Sequence, residues 1–156
     1  MNYKFKITKV AQSGVANLDF NNIPFGKIFS DHMFVADYID GQWTNLEIKP
    51  VEPIATHPGN MAWHYGQAIF EGMKATRDNA GNALMFRPEM HAVRFNKSAV
   101  RMAMPEIPND LFIQAVHNLV DMEKAWIPEK AGSALYIRPF MYATDATIGV
   151  KASETY

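Results

Sequence analysis

The sequence has no cysteine among its 156 residues. This absence excludes disulfide bridges, thiolate metal sites and cysteine nucleophiles, and it fits a reducing cytoplasm. No apolar run approaches the roughly 20 residues that a membrane-spanning helix requires. The first residues, MNYKFKITKVAQSG, lack the apolar segment of a secretory signal. These observations predict a cytoplasmic protein without a membrane partner.

Charge is also limited, since charged residues make up 20% of the chain and the formal net charge is -1. Such a balance gives no field that would attract nucleic acid. Hydrophobic residues make up 48% of the chain, which is typical of a folded protein rather than a disordered one. A chain of 156 residues is long enough for one hydrophobic core. We therefore expect a single domain over residues 1–156 that does not bind nucleic acid.

The stretch from Met61 to Ala75, MAWHYGQAIFEGMKA, is the most unusual part of the sequence. Gly66, Glu71 and Gly72 interrupt a run of aromatic and aliphatic residues, which disfavours a continuous helix or strand there. We predict a short helical turn that leads into a strand and places aromatic side chains beside a ligand. Core packing accounts poorly for Tyr65 and Glu71, so this stretch is the first candidate for a binding site.

Alternating polar and apolar residues predict several strands, and an apolar spacing of three to four residues predicts helices. Asp40-Gly41, between two such strands, is typical of a hairpin turn. Because strands precede and follow two helices, we predict an α+β fold: a largely antiparallel sheet with two helices packed on it. The expected strands are Tyr3–Val10, Met33–Ile39, Trp43–Ile48, Met73–Arg77, Ala83–Phe86 and Ala134–Ala143, and the expected helices run from Pro88 to about Met104 and from a cap at Asn109 or Asp110 onward.

The two expected helices differ in how clearly their apolar residues are spaced. The second helix has one continuous apolar stripe, whereas the pattern of the first is looser and is closed by Pro105. The first pattern rests on Met90, Val93, Ser98, Ala99, Val100 and Met102, and the second on Leu111, Phe112, Ala115, Val116, Leu119, Val120 and Glu123.

Arginine is scarce, with five in the chain. Arg138 lies in the apolar run ALYIRPFMYA and is expected to be buried, where a guanidinium needs an anionic or hydrogen-bonding partner. One interpretation is an ion pair with a core carboxylate; the other is a site for a substrate carboxylate shared with Tyr136 on the same strand face. Arg94 and Arg101, with Lys97 between them, are either a solvated basic stripe or a phosphate site.

Ser30-Asp31-His32 has the composition of a catalytic triad, but three consecutive residues cannot converge on one another. Asp31 and His32 are expected instead to anchor the start of a strand. The histidines, at positions 32, 57, 64, 91 and 117, show none of the close spacings of a zinc site. We therefore predict no metal site, and the sequence contains neither a P-loop nor a GxGxxG motif.

Four segments together resemble the N-terminal half of the branched-chain amino acid aminotransferases. They are FGKIFSDHMF (Phe25 to Phe34), HYGQAIFEGMKA (His64 to Ala75), FRPEMHAVRFNKSAVRMAMP (Phe86 to Pro105) and LYIRPFMYATDATIGV (Leu135 to Val150). They occur in family order across nearly the whole chain. The resemblance implies the small N-terminal domain of a fold-type IV enzyme. Such enzymes use pyridoxal 5'-phosphate to move amino groups between leucine, isoleucine or valine and 2-oxoglutarate.

The resemblance also implies roles for individual residues, none of them catalytic. An apolar pocket suits a branched aliphatic side chain, and one arginine at its edge lets glutamate use the same space. The family further implies a homodimer, because its sites lie near a subunit interface. The implied roles are binding of the cofactor phosphate by Arg94, lining of the side-chain pocket by Phe29, Tyr65 and Phe70, and binding of the distal carboxylate of glutamate by Tyr136 and Arg138.

The resemblance places the Schiff-base lysine, and the carboxylate that faces the pyridine nitrogen, in a C-terminal domain. None of the ten lysines here falls at the family's position. Lys74 is expected to be a surface residue, because a Schiff-base lysine needs a desolvated setting. We therefore expect the chain to be inactive alone and truncated inside its own domain, with one more strand following Tyr156. The unpaired sheet edge that results is expected to cause self-association.

Two alternatives remain open. One is a stand-alone, non-catalytic ligand-binding domain of the same fold, which would explain the missing lysine without truncation. The other is a different fold-type IV enzyme, such as a D-amino acid aminotransferase or an aminodeoxychorismate lyase.

Overall fold

A computed structural model describes residues 2–156. Its strands are mostly antiparallel, which confirms the predicted α+β class. Two 3-10 turns, Gly14–Asn17 and Lys124–Trp126, accompany the regular elements. The helices are α1 (Met61–Tyr65), α2 (Pro88–Arg101) and α3 (Asn109–Met122), and the strands are β1 (Lys6–Ile7), β2 (His32–Ile39), β3 (Gln42–Pro50), β4 (Ala68–Phe70), β5 (Met73–Arg77), β6 (Ala83–Met85), β7 (Leu135–Ile137) and β8 (Phe140–Tyr142).

β2 and β3 form the hairpin that the Asp40-Gly41 dipeptide predicts. They pair antiparallel directly across the turn, and Asp40 and Gly41 have φ of 51° and 78°. Positive φ at both central residues is what a type I′ turn requires. β1 adds to β3 in parallel, but it comprises only Lys6–Ile7 and is shorter than the predicted strand Tyr3–Val10.

The unusual glycine-containing stretch folds into α1 and then β4, as predicted. β4 pairs with β8 and β5 pairs with β7, both antiparallel. Phe70 lies opposite Phe140 and Met73 lies opposite Ile137, so two residues separate the pairs on each side. The register is therefore continuous, and the four strands form one long antiparallel ladder.

The predicted strand Ala134–Ala143 is thus two strands, β7 and β8, with Arg138 and Pro139 between them. Proline has no N–H to donate to a sheet, which interrupts the pairing at this point. The Glu71 N–H donates to the Pro139 carbonyl at 2.8 Å and keeps the two segments aligned. The segment is also less buried than predicted, since Arg138 and Phe140 are exposed.

Side chains of this ladder alternate between two faces. The inner face, formed by Ile69, Glu71, Met73 and Ala75, is buried, and its apolar members pack into the core with the helices. Lys74 is exposed on the opposite face, which agrees with its predicted surface position. This opposite face, called the outer face below, comprises Phe70, Gly72 and Lys74 on one side of the ladder and Tyr136, Arg138 and Phe140 on the other.

α2 and α3 pack together, with the ring centroids of Phe95 and Phe112 5.5 Å apart. The apolar stripe predicted for α3 is largely buried. Of the pattern predicted for α2, Ala99 is buried but the other members are not. Met90 and Val100 are 47% and 62% exposed. The residues that α2 buries follow helical spacing, at positions 0, 3, 4 and 7 counted from residue 92. Two of them are alanines, whose small side chains allow the helix to approach the ladder closely. The buried residues are Ala92, Phe95, Asn96 and Ala99.

α3 begins differently from the prediction. Its N-cap is Pro108, without a side-chain capping bond, and Asn109 is the first helical residue. The side chain of Asn109 instead accepts a hydrogen bond from Asn96 Nδ2 at 3.0 Å, which ties the start of α3 to α2. Within residues 2–156, no helix combines the length and apolar character needed to cross a membrane.

The last residues of the chain pair with the sheet. Tyr156 exchanges backbone hydrogen bonds with Tyr38 of β2 at 2.9 and 3.3 Å, and the Thr155 carbonyl accepts from Thr144 N–H at 3.0 Å. The Tyr156 side chain is buried. Residues 155–156 therefore bridge β2 and the segment that follows β8.

Candidate functional site

Three of the predicted site residues meet on the outer face. Arg138 Nε and Nη2 donate to Tyr136 Oη at 3.1 and 2.7 Å, and Arg138 Cζ lies 4.4 Å from the centroid of the Phe70 ring. The negative face of an aromatic ring attracts a cation above it, and the two bonds to the hydroxyl fix the rotation of the guanidinium. The structure thus holds a fork-shaped cation in one orientation on an exposed surface.

Gly72 makes room for this arrangement. A Cβ added at Gly72 would overlap Tyr136 Oη and lie 3.2 Å from Tyr136 Cζ. Phe25 also packs edge-on against Tyr136, with ring centroids 5.4 Å apart. The tyrosine therefore lies directly on the backbone of the neighbouring strand, a position that requires glycine at residue 72.

Arg138 is exposed and not buried as predicted. Strand alternation and the break at Pro139 put its side chain on the outer face, away from the core. Within residues 2–156 no carboxylate pairs with Arg138, so the interpretation as a core ion pair is wrong. Its hydrogen-bonding partner is the neutral hydroxyl of Tyr136. The guanidinium keeps its full charge and unused N–H donors for an external anion.

Arg94 has a different partner, the carboxylate of Glu71. Arg94 Nε donates to Glu71 Oε2 at 2.7 Å and Arg94 Nη2 donates to Glu71 Oε1 at 2.5 Å. Glu71 is only 5% exposed, whereas the Arg94 side chain is 65% exposed. The Gly72 N–H donates to Glu71 Oε1 at 2.9 Å, and His91 Nδ1 lies 3.4 Å from Glu71 Oε2. Arg94 is therefore not simply part of a basic stripe that contacts only solvent.

The electrostatics of this pair follow from its burial and its hydrogen bonds. Burial by itself raises the pKa of Glu71, but hydrogen bonds from Arg94 and Gly72, with the charges of Arg94 and His91, leave that pKa below its ordinary value of 4.5. The hydrogen bonds and the negative charge of Glu71 raise the pKa of Arg94 further. Both groups are charged at neutral pH, so the pair is a permanent one.

A groove of about 520 Å³ lies between β4 and α2. Phe70 contributes to the β4 side, and Arg94, Lys97 and Arg101 contribute three cations from α2. These three cations on one side of the groove favour an anionic ligand group. Phe70 also lies beneath Arg138, so this one residue belongs to both parts of the candidate site.

The other two predicted aromatic residues lie apart from Arg138. Tyr65 ends α1, is 49% exposed and has His64 as its neighbouring ring, with centroids 6.4 Å apart. Phe29 is 69% exposed in the loop before β2. The aromatic residue that packs on Tyr136 is Phe25, which was not predicted. In the sequence, only its position in the segment FGKIFSDHMF, which also contains Phe29, could have indicated a role for Phe25.

Asp31, His32 and Glu123 form a second polar cluster, whose potential ligand atoms lie within 4.8 Å of one another. Val10 N–H donates to His32 Nε2 at 3.0 Å, which places the ring proton on Nδ1, the atom bonded to Glu123. The Asp31 N–H donates to the other oxygen of Glu123 at 2.8 Å. Protein donors therefore occupy the atoms that a metal ion would need.

The side chain of Asp31 completes this network. It accepts hydrogen bonds from Ser13 Oγ, Gly14 N–H and Trp126 Nε1–H. Burial raises the pKa of Asp31, but these bonds outweigh it and leave that pKa below 3.8. Asp31 and His32 thus anchor the start of β2, as the sequence predicts, by tying it to the end of α3 and to the N-terminal segment.

Comparison with known proteins identifies relatives along most of the chain. The chain is 45% identical over 139 residues to branched-chain-amino-acid transaminase 1 of Bacillus subtilis (strain 168), covering 88% of this chain and 39% of that protein. It is 40% identical over 151 residues to a branched-chain-amino-acid aminotransferase of Mycolicibacterium smegmatis, covering 96% of this chain and 41% of that protein. The chain thus spans about two-fifths of the length of these curated relatives. No family model matches it.

Solved structures share the fold. The branched-chain amino acid aminotransferase of Escherichia coli superposes with a TM-score of 0.55 at 22% identity, covering 76% of this chain and 36% of that one. A second branched-chain amino acid aminotransferase, the T.th. enzyme complexed with N-(5'-phosphopyridoxyl)-L-glutamate, superposes with a TM-score of 0.54 at 24% identity. The match again covers 76% of this chain and 36% of that one.

The mixed architecture, with an antiparallel ladder under two helices, is that of the small domain of fold-type IV aminotransferases. By its sequence, the chain is a homologue of part of the branched-chain amino acid aminotransferases, at 40–45% identity over about two-fifths of their length.

Proposed function

We propose that this chain forms the substrate-pocket half of a branched-chain amino acid aminotransferase, which moves amino groups between leucine, isoleucine or valine and 2-oxoglutarate. The observation that carries the proposal is the exposed guanidinium of Arg138, held by Tyr136 and Phe70. A pre-oriented fork of N–H donors matches a carboxylate. Glutamate and 2-oxoglutarate both carry a distal carboxylate, and a structural relative is complexed with a glutamate derivative.

Exposed aromatic side chains also suit a branched aliphatic side chain of the substrate. Phe70 is 64% exposed and Tyr65 is 49% exposed, and we propose that they line the side-chain pocket together with Phe29. An aliphatic substrate would pack on these rings and leave Arg138 to its tyrosine partner. A glutamate side chain would reach past them to the guanidinium. Leucine and glutamate can then use one pocket, which an amino-transfer reaction between them requires.

The residues present fit the phosphate of pyridoxal 5'-phosphate. Arg94 lies on the groove between β4 and α2 beside two more cations, and a phosphate needs such donors. When bound, this cofactor supplies the electron sink for amino-group exchange. Arg94 is proposed to bind its phosphate, and Arg138 to orient the substrate relative to it.

We propose no catalytic residue within the chain. Lys74 is exposed on the outer face, whereas a lysine that reacts with the cofactor needs a desolvated setting. The reacting lysine is therefore proposed to come from outside residues 1–156, and the chain alone to be inactive. The chain's coverage of about two-fifths of its relatives supports this division.

Exposed aromatic side chains support a further proposal, a homodimer. Trp63, Phe70, Phe86 and Phe140 are each more than half exposed, at 70%, 64%, 83% and 56%. Apolar surface on this scale marks protein contacts in soluble proteins. We propose that additional protein, including a second subunit, covers it.

Arg138→Ala in the complete enzyme tests the central proposal. The kcat/KM for glutamate and 2-oxoglutarate should fall roughly 10- to 100-fold, as expected for loss of a charged hydrogen bond, while the value for leucine changes little. Lys74→Gln is a matched control, because it removes a cation from the same face opposite Tyr136. Equal losses for glutamate and leucine would contradict the role of Arg138 in carboxylate recognition.

A further inference from the structure

We infer that Glu71 is a positioning residue, which holds the Arg94 guanidinium so that its free N–H groups face the groove and bind a phosphate. This inference rests on the proposed phosphate role of Arg94. It assigns a purpose to the acidic residue that interrupts the aromatic run before β5 and that core packing does not explain.

The donors of Arg94 divide into two sets. Nε and Nη2 bond to the two oxygens of Glu71, and Nη2 also lies 3.5 Å from His91 Nδ1. Within residues 2–156, no acceptor contacts Nη1. A guanidinium is planar, so fixing one edge against Glu71 also fixes the direction of the Nη1 edge. That edge belongs to a side chain that lines the groove and is 65% exposed.

Glu71 can serve as a rigid support because its own position is fixed three times. Its side chain is on the buried inner face of the ladder, at 5% exposure. Its N–H donates to the Pro139 carbonyl, and its carboxylate accepts the Gly72 N–H. An exposed arginine without such a support samples many rotamers, and ordering it on binding costs affinity. The ion pair orders Arg94 before the phosphate arrives.

A simpler interpretation is that Arg94 only neutralises a buried carboxylate. The two interpretations predict opposite effects of removing the charge of Glu71. If the pair only neutralises the buried carboxylate, removing the charge of Glu71 frees the full positive charge of Arg94 and phosphate binds more tightly. If Glu71 positions Arg94, its removal releases the guanidinium and phosphate binds more weakly. The sign of the change therefore separates them.

The experiment titrates inorganic phosphate into the 156-residue chain at constant ionic strength and follows the Arg94 Cζ resonance and the α2 amides by NMR. Glu71→Gln should weaken phosphate binding roughly three- to tenfold, the range of one or two oriented hydrogen bonds. Glu89→Gln is the matched control, because it removes the same charge from the first turn of α2, where Glu89 faces Arg87. It should leave the affinity unchanged. Equal or tighter binding by Glu71→Gln overturns the inference.

A second variant keeps the test valid if Glu71→Gln does not fold. Arg94→Lys retains the charge at an exposed position but loses the planar fork, so a lysine cannot be held along one edge. It should weaken phosphate binding as much as Glu71→Gln, and wild-type affinity in this variant overturns the inference.

Arg94→Gln tests the underlying phosphate role separately. Binding should fall further than in either of the other variants. If phosphate shifts no Arg94 resonance in the wild type, or if Arg94→Gln binds as well as the wild type, the phosphate role itself fails and the inference fails with it. A strong loss in Arg94→Gln together with undiminished binding in Glu71→Gln overturns the role of Glu71 alone.

Discussion

Arg94 and Arg138 show two ways of presenting a guanidinium at a protein surface. Arg94 is held by a buried, charged carboxylate, and Arg138 is held by a neutral hydroxyl and an aromatic ring. A charged partner orders the side chain strongly but offsets part of its attraction for an anion. A neutral partner leaves the attraction intact and yields more readily to a competing ligand.

This difference matches the two proposed roles. A phosphate that remains bound throughout turnover suits the permanently ordered Arg94. A substrate carboxylate that is present in one half of the reaction and absent in the other suits Arg138, whose partner Tyr136 carries no charge to compete with it. The two arginines depend on adjacent residues of the ladder, since Glu71 is buried on the inner face and Phe70 is exposed on the outer face.

The largest expected effect comes from Gly72→Ala, which should disrupt the support of Arg138 and leave that of Arg94 in place. The added Cβ would overlap Tyr136 Oη, so the tyrosine must move away from the ladder. We expect a loss of about 1–3 kcal/mol in the free energy of unfolding, typical of overpacking, measured by urea denaturation. The Arg138 side-chain resonances should shift while those of Arg94 remain.

Gly149→Ala is the control for this substitution. A Cβ at Gly149 would meet only Thr147 Cγ2, at an ordinary 3.7 Å, so its stability should stay close to that of the wild type. An unchanged Arg138 environment in Gly72→Ala would show that Tyr136 does not determine the position of Arg138.

The next expected effect compares Arg94→Gln with Arg138→Gln in the same unfolding measurement. Removing Arg94 leaves a buried carboxylate without its cation, whereas removing Arg138 leaves an accessible tyrosine hydroxyl that water can satisfy. The loss of unfolding free energy should be at least about twice as large for Arg94→Gln. Arg101→Gln, at another exposed position on α2, controls for the change in net charge. Equal losses would mean that burial of Glu71 does not depend on its partner.

The smallest expected effect is a difference in acid sensitivity. The pKa of Glu71 in the folded chain is below its ordinary value of 4.5, so the folded state binds fewer protons than the unfolded state in this range. The resulting stability is present above the ordinary pKa and is lost as the pH falls through the folded pKa. Glu71→Gln should therefore lose less unfolding free energy than the wild type below about pH 5.

Arg138→Gln should follow the wild-type acid profile in this experiment. Asp31 and Asp145 also have lowered pKa values, after hydrogen bonds outweigh the effect of burial, and they lower the stability in acid in every variant. The contribution of Glu71 is thus the difference between the wild type and Glu71→Gln in how the free energy of unfolding changes with pH. Parallel curves for Glu71→Gln and the wild type would show that the ion pair adds nothing in this pH range.

Several elements could be predicted from the sequence because their causes are local. The Asp40-Gly41 turn needs only two adjacent residues that tolerate positive φ, and the stripe of α3 follows from helical spacing. The pairing of Tyr136 with Arg138 was also predictable, because residues two apart in a strand share a face. The same local logic failed for α2, where the buried face consists of Phe95, Asn96 and two alanines and includes neither Met90 nor Val100.

The sequence by itself determined the family resemblance, the turn chemistry, the order of strands and helices and the presence of an acidic residue that core packing does not explain. Tertiary structure decided the partner of that residue, because Arg94 lies 23 positions away and meets Glu71 only when α2 packs on the ladder. It also decided that Arg138 is exposed. An apolar run indicates that a segment is near the core, but only the pairing of its strand shows which of its side chains face it.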